Sequence, residues 1–179
     1  FEVVIADNNA ESARAAYIEP ATRNLTCKVH YGHEPNAGYS NARNKALEVA
    51  LANTSAEAFL FVDDDMILEP TWLAEHLRSL IELEADIVNG RIYGVRRRFA
   101  HGTKLEKCGC GNVSFRRRIV DPSGFGLCFD PAYNKLGMED QAFFREATKR
   151  GAIIKQSDWP LIYNYYGRDG VPEDEVINK

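Results

Sequence analysis

Three consecutive aspartates, Asp63, Asp64 and Asp65, directly follow the apolar run AFLFV at residues 58–62. On an extended backbone the side chains of Asp63 and Asp65 point to one face and that of Asp64 to the other. Clustered carboxylates repel one another unless a cation neutralises them, and oxygen ligands suit Mg²⁺ or Mn²⁺ completed by a bound phosphate. The alternative is a solvated acidic turn. Because the preceding run is wholly apolar, we favour a metal site at the end of a buried strand.

Two further polar residues are predicted near the same sheet edge. Asp7 closes the first apolar run, FEVVIA at residues 1–6, and Arg43 lies in the first turn of a predicted helix. Each is a weak signal alone, since aspartate is common in turns after strands and a helical arginine is usually exposed.

A second acidic pair stands at a predicted helix start, in the sequence Gly-Met-Glu-Asp at residues 137–140. The helix dipole favours acids at this position without any function. On spacing alone we therefore interpret Glu139 and Asp140 as structural.

Strand-length apolar runs alternate with helical patterns, which predicts an α/β fold. This order favours a mostly parallel sheet covered on both faces, and the less regular second half makes the architecture mixed. The predicted strands are residues 1–6, 27–31, 58–62, 86–93, 111–115, 152–155 and 161–165, and the predicted helices 11–18, 40–51, 70–81 and 139–150.

Single residues mark the predicted helix ends. Pro20 stops the first helix, Ser40 caps the second, Pro70 lies in the first turn of the third and Gly151 ends the fourth. We find no internal repeat or low-complexity linker, so we treat residues 1–179 as one domain.

The composition is that of a globular protein, with 45% hydrophobic and 27% charged residues and a net charge of −4. The acidic balance argues against a broad nucleic-acid surface. The sequence contains no run of about 18 apolar residues, so no membrane span is predicted. The cysteines, Cys27, Cys108, Cys110 and Cys128, are too scattered for a disulfide framework. Since no second close pair complements Cys108 and Cys110, we expect reduced thiols rather than a metal site.

Taken in order, the motifs form a specific pattern. They are an apolar strand ending in Asp7, NAGYSNARN at residues 36–44, FLFVDDDMILEPTWL at 59–73, GNVSFRR at 111–117, and FDP followed by GMEDQAFFR at 129–145. This pattern resembles the family 2 glycosyltransferases, and in particular bacterial exopolysaccharide and lipopolysaccharide sugar transferases, including succinoglycan-type glucosyltransferases.

The resemblance implies a GT-A fold, a Rossmann-like nucleotide-diphospho-sugar transferase domain with a mixed sheet flanked by helices. The family usually begins with an earlier strand, so we expect this chain to lack the first strand–helix unit. The unpaired edge would then favour a homodimer. Residues 1–90 would bind the nucleotide sugar and residues 91–179 the acceptor.

The implied activity is inverting transfer of a sugar from a nucleotide-diphosphate sugar, by family habit a UDP-sugar, to a saccharide or lipid-linked saccharide acceptor. The implied cofactor is Mn²⁺ or Mg²⁺, and the implied location is the cytoplasm or the inner face of the cell membrane. The chain lacks a Gln-x-x-Arg-Trp motif, which argues against processive synthases.

The resemblance also assigns roles to residues. Asp7 would bind the uracil base, and Arg43 would lie near the base or its phosphates. The aspartate triplet would be the DxD motif, with Asp65 on the metal, Asp63 on the ribose or the metal's water, and Asp64 beside the nucleotide. Asp140 would be the catalytic base and Glu139 would lie beside the acceptor, which reverses the structural interpretation. The family's late histidine is replaced at residues 163–166, so the metal's third protein ligand stays open.

Two basic triplets, Arg96 to Arg98 and Arg116 to Arg118, stand out in an acidic chain. They would contact anionic lipid head groups or a lipid-linked diphosphate, or simply form a solvated charged face. Arg168, between two glycines, would reach the leaving diphosphate.

Two other functions remain open at this point. One is a non-catalytic nucleotide-sugar-binding module or inactive fragment. The other, remote, is a phosphohydrolase of the haloacid dehalogenase type, with Asp63 as nucleophile and Asp65 as acid, although Ile67 stands where that family has Thr or Val.

Overall fold

The computed structural model describes residues 1–11, 15–93 and 99–164. They form two compact units, each assembled from two stretches of the chain. Unit 1 contains Phe1–Glu57 and Arg117–Ala147, and unit 2 contains Ala58–Arg116 and the residues from Thr148 on. The triplet at 96–98 and Arg168 lie outside the described residues.

The strands and helices agree in type and order with the predicted ones, except that two short strands are added and the last two predicted strands are one. In chain order they are β1 (Val3–Asp7), α1 (Ala15–Thr22), β2 (Val29–His33), α2 (Tyr39–Asn53), β3 (Ala58–Val62), β4 (Met66–Leu68), α3 (Trp72–Glu82), β5 (Ile87–Ile92), β6 (Lys104–Leu105), β7 (Asn112–Arg116), α4 (Glu139–Lys149) and β8 (Ile154–Asn164).

Unit 1 is built on the parallel pair β1 and β2, whose register matches Asp7 with His33 at the strand ends. Helix α2 packs on both strands and buries Leu47 and Ala50. The predicted stop of α1 at Pro20 is wrong, because the helix continues to Thr22 with Pro20 inside it. A proline inside a helix removes one backbone hydrogen bond and crowds the carbonyl four residues earlier, so it weakens a helix without always ending it at once.

A carboxamide joins α2 to the segment that precedes α4. Asn44 Nδ2 donates to the Phe129 carbonyl at 2.8 Å, and the Phe129 amide donates to Asn44 Oδ1 at 2.8 Å. Phe129 is fully buried and stacks on Phe143 of α4, with ring centroids 4.2 Å apart. Helices α2 and α4 are therefore held together by paired hydrogen bonds and an aromatic stack.

The predicted capping of α2 by Ser40 is wrong. Ser40 Oγ donates to the Asp130 carbonyl at 2.7 Å, and Asn134 Oδ1 instead accepts the Asn41 amide at 3.1 Å. The residue before the helix, Gly38, has φ +149°, where a Cβ would lie 2.4 Å from Asn134 Cγ. A side chain distant in sequence thus satisfies an amide of the first turn of α2.

Unit 2 is a mixed sheet in the order β3-β7-β5-β8-β4, with β6 also paired to β8. The prediction of a mixed sheet is confirmed, but that of mostly parallel pairing is wrong. Among the strands that the structure describes, only the pairs β1–β2 and β5–β8 are parallel. The two strands predicted at 152–155 and 161–165 are one strand, β8, whose register against β5 shifts between Asn89 and Arg91.

Helix α3 packs on this sheet through a buried polar network centred on Asn112. Asn112 Oδ1 accepts hydrogen bonds from Trp72 Nε1 and His76 Nε2, both at 2.8 Å. Asn112 Nδ2 donates to the carbonyls of Arg91 and Pro160, both at 2.9 Å. All four hydrogen-bonding positions of the carboxamide are used, so this side chain ties α3 to three strands.

No helix among the described residues is long and apolar enough to cross a membrane. None of the four cysteines forms a disulfide in the structure.

Burial makes His76 a pH-sensitive element of this network. Its side chain is fully buried, and burial lowers the pKa of His76 from 6.5 to about 4. Because the unfolded chain binds a proton below pH about 6.5 and the folded chain only below pH about 4, stability is lost as the pH falls through this interval.

We predict that the wild-type chain loses up to about 3 kcal/mol more stability than His76→Gln between pH 7 and pH 4, since one pKa unit corresponds to about 1.4 kcal/mol. Glutamine retains hydrogen-bonding groups but does not titrate. Urea unfolding at both pH values checks this. Parallel pH dependence of the two proteins would contradict it.

Candidate functional site

A groove of about 310 Å³ lies in unit 1 at the start of α4. Its lining contains two acidic side chains, two basic ones and an apolar rim: Tyr39, Arg43, Lys135, Leu136, Gly137, Met138, Glu139 and Asp140. The structure therefore brings Arg43, Glu139 and Asp140 together, although about 95 residues separate the arginine from the acids.

The carboxylate of Glu139 is almost completely buried, with 4% of the residue exposed. Arg43 Nη1 donates a hydrogen bond to Glu139 Oε1, and the side chain of Arg43 is itself largely buried. Glu139 Oε2 is buried and accepts no hydrogen bond from the described residues. A buried carboxylate requires a partner charge, and a buried oxygen without a donor costs about 1–3 kcal/mol.

The chain enters α4 through two residues in the left-handed region. Gly137 and Met138 both have φ +69°, and Met138 is not a glycine. Left-handed backbone in a residue with a side chain costs about 1 kcal/mol or more and is often found at functional sites. Immediately after this turn, Glu139 and Asp140 begin the helix, and the Gln141 amide donates to Asp140 Oδ1 at 2.6 Å.

The rim of the groove consists of exposed apolar side chains. Leu136 is 81% exposed, Tyr39 59% and Met138 57%. Lys135 adds a cation beside them. Sequence reasoning missed these residues, and no spacing signal could have found them, because a loop brings the rim residues together only after folding.

Asp7 lies at the end of β1, as predicted, but β1 pairs with β2 in a two-stranded sheet and β3 belongs to another sheet, so the prediction of one sheet edge shared with the aspartate triplet is wrong. The Asp7 carboxylate accepts hydrogen bonds from a side chain of β2 and from a nearby amide. Tyr31 Oη donates to Oδ2 at 2.6 Å, and the Asn9 amide donates to Oδ1 at 3.1 Å. Sequence reasoning missed Tyr31, although its position at the end of the predicted strand 27–31 was an available signal.

The next residue, Asn8, organises the loop that leads into α2. Asn8 Nδ2 donates to the carbonyls of Glu34 and Asn36, at 2.7 and 2.9 Å, and Oδ1 accepts the Gly38 amide at 2.9 Å. The end of β1 and the start of α2 are therefore fixed by one side chain.

The aspartate triplet lies in unit 2, directly after β3. The strand ends at Val62, and Asp64 and Asp65 form a turn before β4. The expected alternation of side chains along an extended backbone is therefore wrong for this segment. Asp63 and Asp64 are exposed, and Asp65 is half-buried.

Gly111 makes a close approach to the triplet. A Cβ at this position would lie 3.1 Å from Asp63 Oδ2. Among residues 1–11, 15–93 and 99–164, no three His, Cys, Asp or Glu side chains converge to hold a metal. The donors present fit a hard cation that takes one or two protein carboxylates and its other ligands from a diphosphate.

Tyr163, where the resemblance leaves the third metal ligand open, is hydrogen-bonded within unit 2. Its hydroxyl donates to Glu69 Oε1 at 2.5 Å, and its ring lies 5.1 Å from that of Tyr93. The hydrogen bond to the Glu69 carboxylate raises the pKa of Tyr163 above its ordinary value.

Two arginines of the second basic triplet donate hydrogen bonds to oxygen atoms of their own units. In unit 2, Arg116 Nε and Nη2 donate to the carbonyls of Ala85 and Leu80, at 2.9 and 3.0 Å. In unit 1, Arg117 Nε donates to Asp121 Oδ2 at 2.7 Å, and hydrogen bonds from Ser123 and then from Arg117 lower the pKa of Asp121 to about 2.

The sequence matches the family model for glycosyl transferase family 2 over residues 1–139. The chain therefore belongs to glycosyl transferase family 2, which removes the haloacid dehalogenase alternative. Over 92 residues it is 30% identical to the succinoglycan biosynthesis protein ExoM of Rhizobium meliloti (strain 1021), an alignment that covers 51% of this chain and 28% of ExoM.

Solved structures show the same fold. A crystal structure of S. aureus TarS aligns with 92% of this chain at a TM-score of 0.67 and 20% identity, covering 31% of TarS. TarS 1–349 in complex with UDP-GlcNAc aligns with 91% of this chain at a TM-score of 0.66 and 21% identity, covering 49% of that chain. The fold is therefore the predicted GT-A α/β fold. The matched regions cover less than a third of ExoM and of the first of these TarS chains.

Two glycines with positive φ offer a matched test of the loops that carry the groove. Gly137→Ala meets no atom within 4 Å, so we predict only the strain of the left-handed region, about 1 kcal/mol. Gly38→Ala adds a collision with Asn134 and should cost at least about 1 kcal/mol more. Denaturant unfolding of both variants measures the difference, and equal costs would contradict the close packing at Gly38.

Proposed function

We propose that this chain is the catalytic domain of an inverting glycosyltransferase that moves a sugar from a UDP-sugar to a saccharide or lipid-linked saccharide acceptor in polysaccharide biosynthesis. Family membership supports sugar transfer. The relative ExoM is named for succinoglycan biosynthesis, and TarS is solved with UDP and with UDP-GlcNAc. These names support the polymer product and the uridine nucleotide.

The observation that carries the proposal is the groove in unit 1 with Glu139 and Asp140 at the start of α4. Its volume lies at the lower end of the range for small-molecule sites. Two carboxylates, one of them buried with an unsatisfied oxygen, offer acceptors for a hydroxyl hydrogen.

In the proposed reaction an acceptor hydroxyl attacks C1 of the donor sugar while the nucleoside diphosphate leaves. Asp140 takes the hydroxyl proton as the new C–O bond forms, which requires a contact of about 2.6–3.2 Å in the reacting complex. Glu139 Oε2 accepts a hydrogen bond from the acceptor and so orients it. The diphosphate leaves without protonation, and the sugar passes through an oxocarbenium-like transition state.

We assign the donor contacts from the family resemblance. Asp7 would bind the base, and its carboxylate is already oriented by Tyr31. Asp63 and Asp64 would contact the nucleotide, and Asp65 with Asp63 would hold Mn²⁺ or Mg²⁺. When bound, this cation stabilises the negative charge of the leaving diphosphate as a Lewis acid.

The rim supports an acceptor with an apolar face. The exposed side chains of Tyr39, Leu136 and Met138 suit the C–H face of a sugar ring, and Lys135 suits a phosphate. Contact of the basic triplets with a membrane on the cytoplasmic side, and a homodimer, remain predictions.

Asp140→Asn tests the base. We predict UDP affinity within about twofold of wild type and a loss of turnover of about 100-fold or more, because general-base catalysis contributes about 10²–10⁴-fold. UDP release from UDP-glucose, UDP-galactose and UDP-GlcNAc, measured with Glu146→Gln on the same helix as control, checks this. Retained turnover would move the base to another residue, with Glu139 the first candidate.

Asp65→Ala tests the metal. We predict that calorimetry finds UDP binding to the wild type with Mn²⁺ and none with EDTA, and that Asp65→Ala loses the Mn²⁺-dependent part. Thermal unfolding should be unchanged, because Asp65 lies in a turn. Glu106→Gln, an exposed acid of unit 2, is the control.

Equal UDP affinity in Asp65→Ala would refute the metal assignment, and UDP binding without turnover would favour a non-catalytic module.

A further inference from the structure

The resemblance places Arg43 near the nucleotide, whereas the structure pairs its side chain with Glu139 in unit 1. Its guanidinium donates to Glu139 Oε1, and only 16% of its side chain and 5% of that of Glu139 are exposed. The pair is therefore formed largely away from water, where an ion pair is screened least.

Arg43 also packs on the ring of Phe129. Its guanidinium carbon lies 5.8 Å from the centroid of the Phe129 ring, which is fully buried. Asn44, the next residue of α2, holds both backbone polar groups of Phe129, and Phe129 stacks on Phe143 of α4. The arginine thus rests on the aromatic stack that joins α2 to the helix carrying the acids.

Glu139 and Asp140 follow a strained turn, which the surrounding contacts of unit 1 must hold in place. The turn before them places Met138 at φ +69°, and a strained segment persists only where its surroundings over-determine it. With Oε1 of Glu139 held by Arg43, the other oxygen, Oε2, is left buried in a residue that lines the groove, with no donor among the described residues.

We propose that Arg43 is a positioning residue that acts through Glu139 on the acceptor side of the site. It holds Oε1 so that Oε2 is presented to an acceptor hydroxyl, and it fixes the first turn of α4, from which Asp140 projects. This inference rests on the proposed function, because it assigns the acceptor hydroxyl as the ligand of Oε2.

The experiment compares Arg43→Gln, Arg43→Lys, Glu139→Gln and the double variant Arg43→Gln/Glu139→Gln. UDP affinity is measured by calorimetry with Mn²⁺, and kcat and KM are measured by UDP release from the donor sugar that the wild type turns over. Lys45→Gln removes another cation of α2, paired with Glu48 at the surface, and is the control.

We expect Arg43→Gln to keep UDP affinity and the donor KM within about twofold of wild type and to lose about 100-fold or more in kcat. Glu139→Gln should lose a similar factor, and the double variant no more than either single variant, because the two residues act as one unit. Arg43→Lys should recover part of kcat, since it restores the charge without the planar fork.

Two results would overturn the inference. One is a rise of about tenfold or more in the UDP dissociation constant of Arg43→Gln while Glu139→Gln binds normally, which would make Arg43 a nucleotide ligand. The other is multiplicative loss of kcat in the double variant, which would make the residues independent. If Arg43→Gln does not fold, the comparison of Arg43→Lys with Glu139→Gln decides by the same criteria.

Failure of the proposed function has a different signature. In that case the wild type itself neither binds UDP with Mn²⁺ nor releases UDP from any of the three sugars, and the inference about Arg43 falls with it. Wild-type activity with unaltered kcat in Arg43→Gln would overturn the inference alone.

Discussion

The burial of one carboxylate constrains the whole of unit 1. Glu139 is 4% exposed, and a carboxylate removed from water is tolerated only when a cation and donors compensate it. Arg43 is the cation that does so, from a helix distant in sequence. The position of α2 relative to α4, the aromatic stack beneath the arginine and the strained turn at Met138 all serve this one pairing within the unit.

In unit 2 a buried polar side chain, that of Asn112, is likewise compensated by hydrogen bonds, but to neutral groups. The carboxamide of Asn112 satisfies two donors of α3 and two carbonyls of the sheet, so no buried polar atom of that side chain is left over. Gly90 makes room for it, since a Cβ there would lie 2.4 Å from Asn112 Nδ2. The neighbouring Gly111 brings the same strand against Asp63. The strand that follows Gly111 is thus joined to its neighbours by the hydrogen bonds of one buried carboxamide.

Local patterns predicted the elements well and their ends less well. The apolar run at 58–62 and the helix that begins at Glu139 and ends before Gly151 are where the sequence places them. The prediction at Ser40 was wrong because a cap is one interaction that a tertiary contact outweighs, and the prediction at Pro20 was wrong because one proline weakens a helix without always ending it at once. Ser40 donates to Asp130 instead, and α1 carries Pro20 in its interior. The short strands β4 and β6 have too few residues for any periodicity to be read.

The sequence by itself determined the α/β class, the mixed sheet, the family and the identity of the residues that could do chemistry. These follow from periodicity and from ordered motifs, which depend on neighbours along the chain. Only the tertiary structure decided strand direction in unit 2, the partner of Arg43, the partner of Asp7 and the apolar rim of the groove. Each of these is a contact between residues distant in sequence. Its free energy depends on burial and geometry that exist only after the chain has folded.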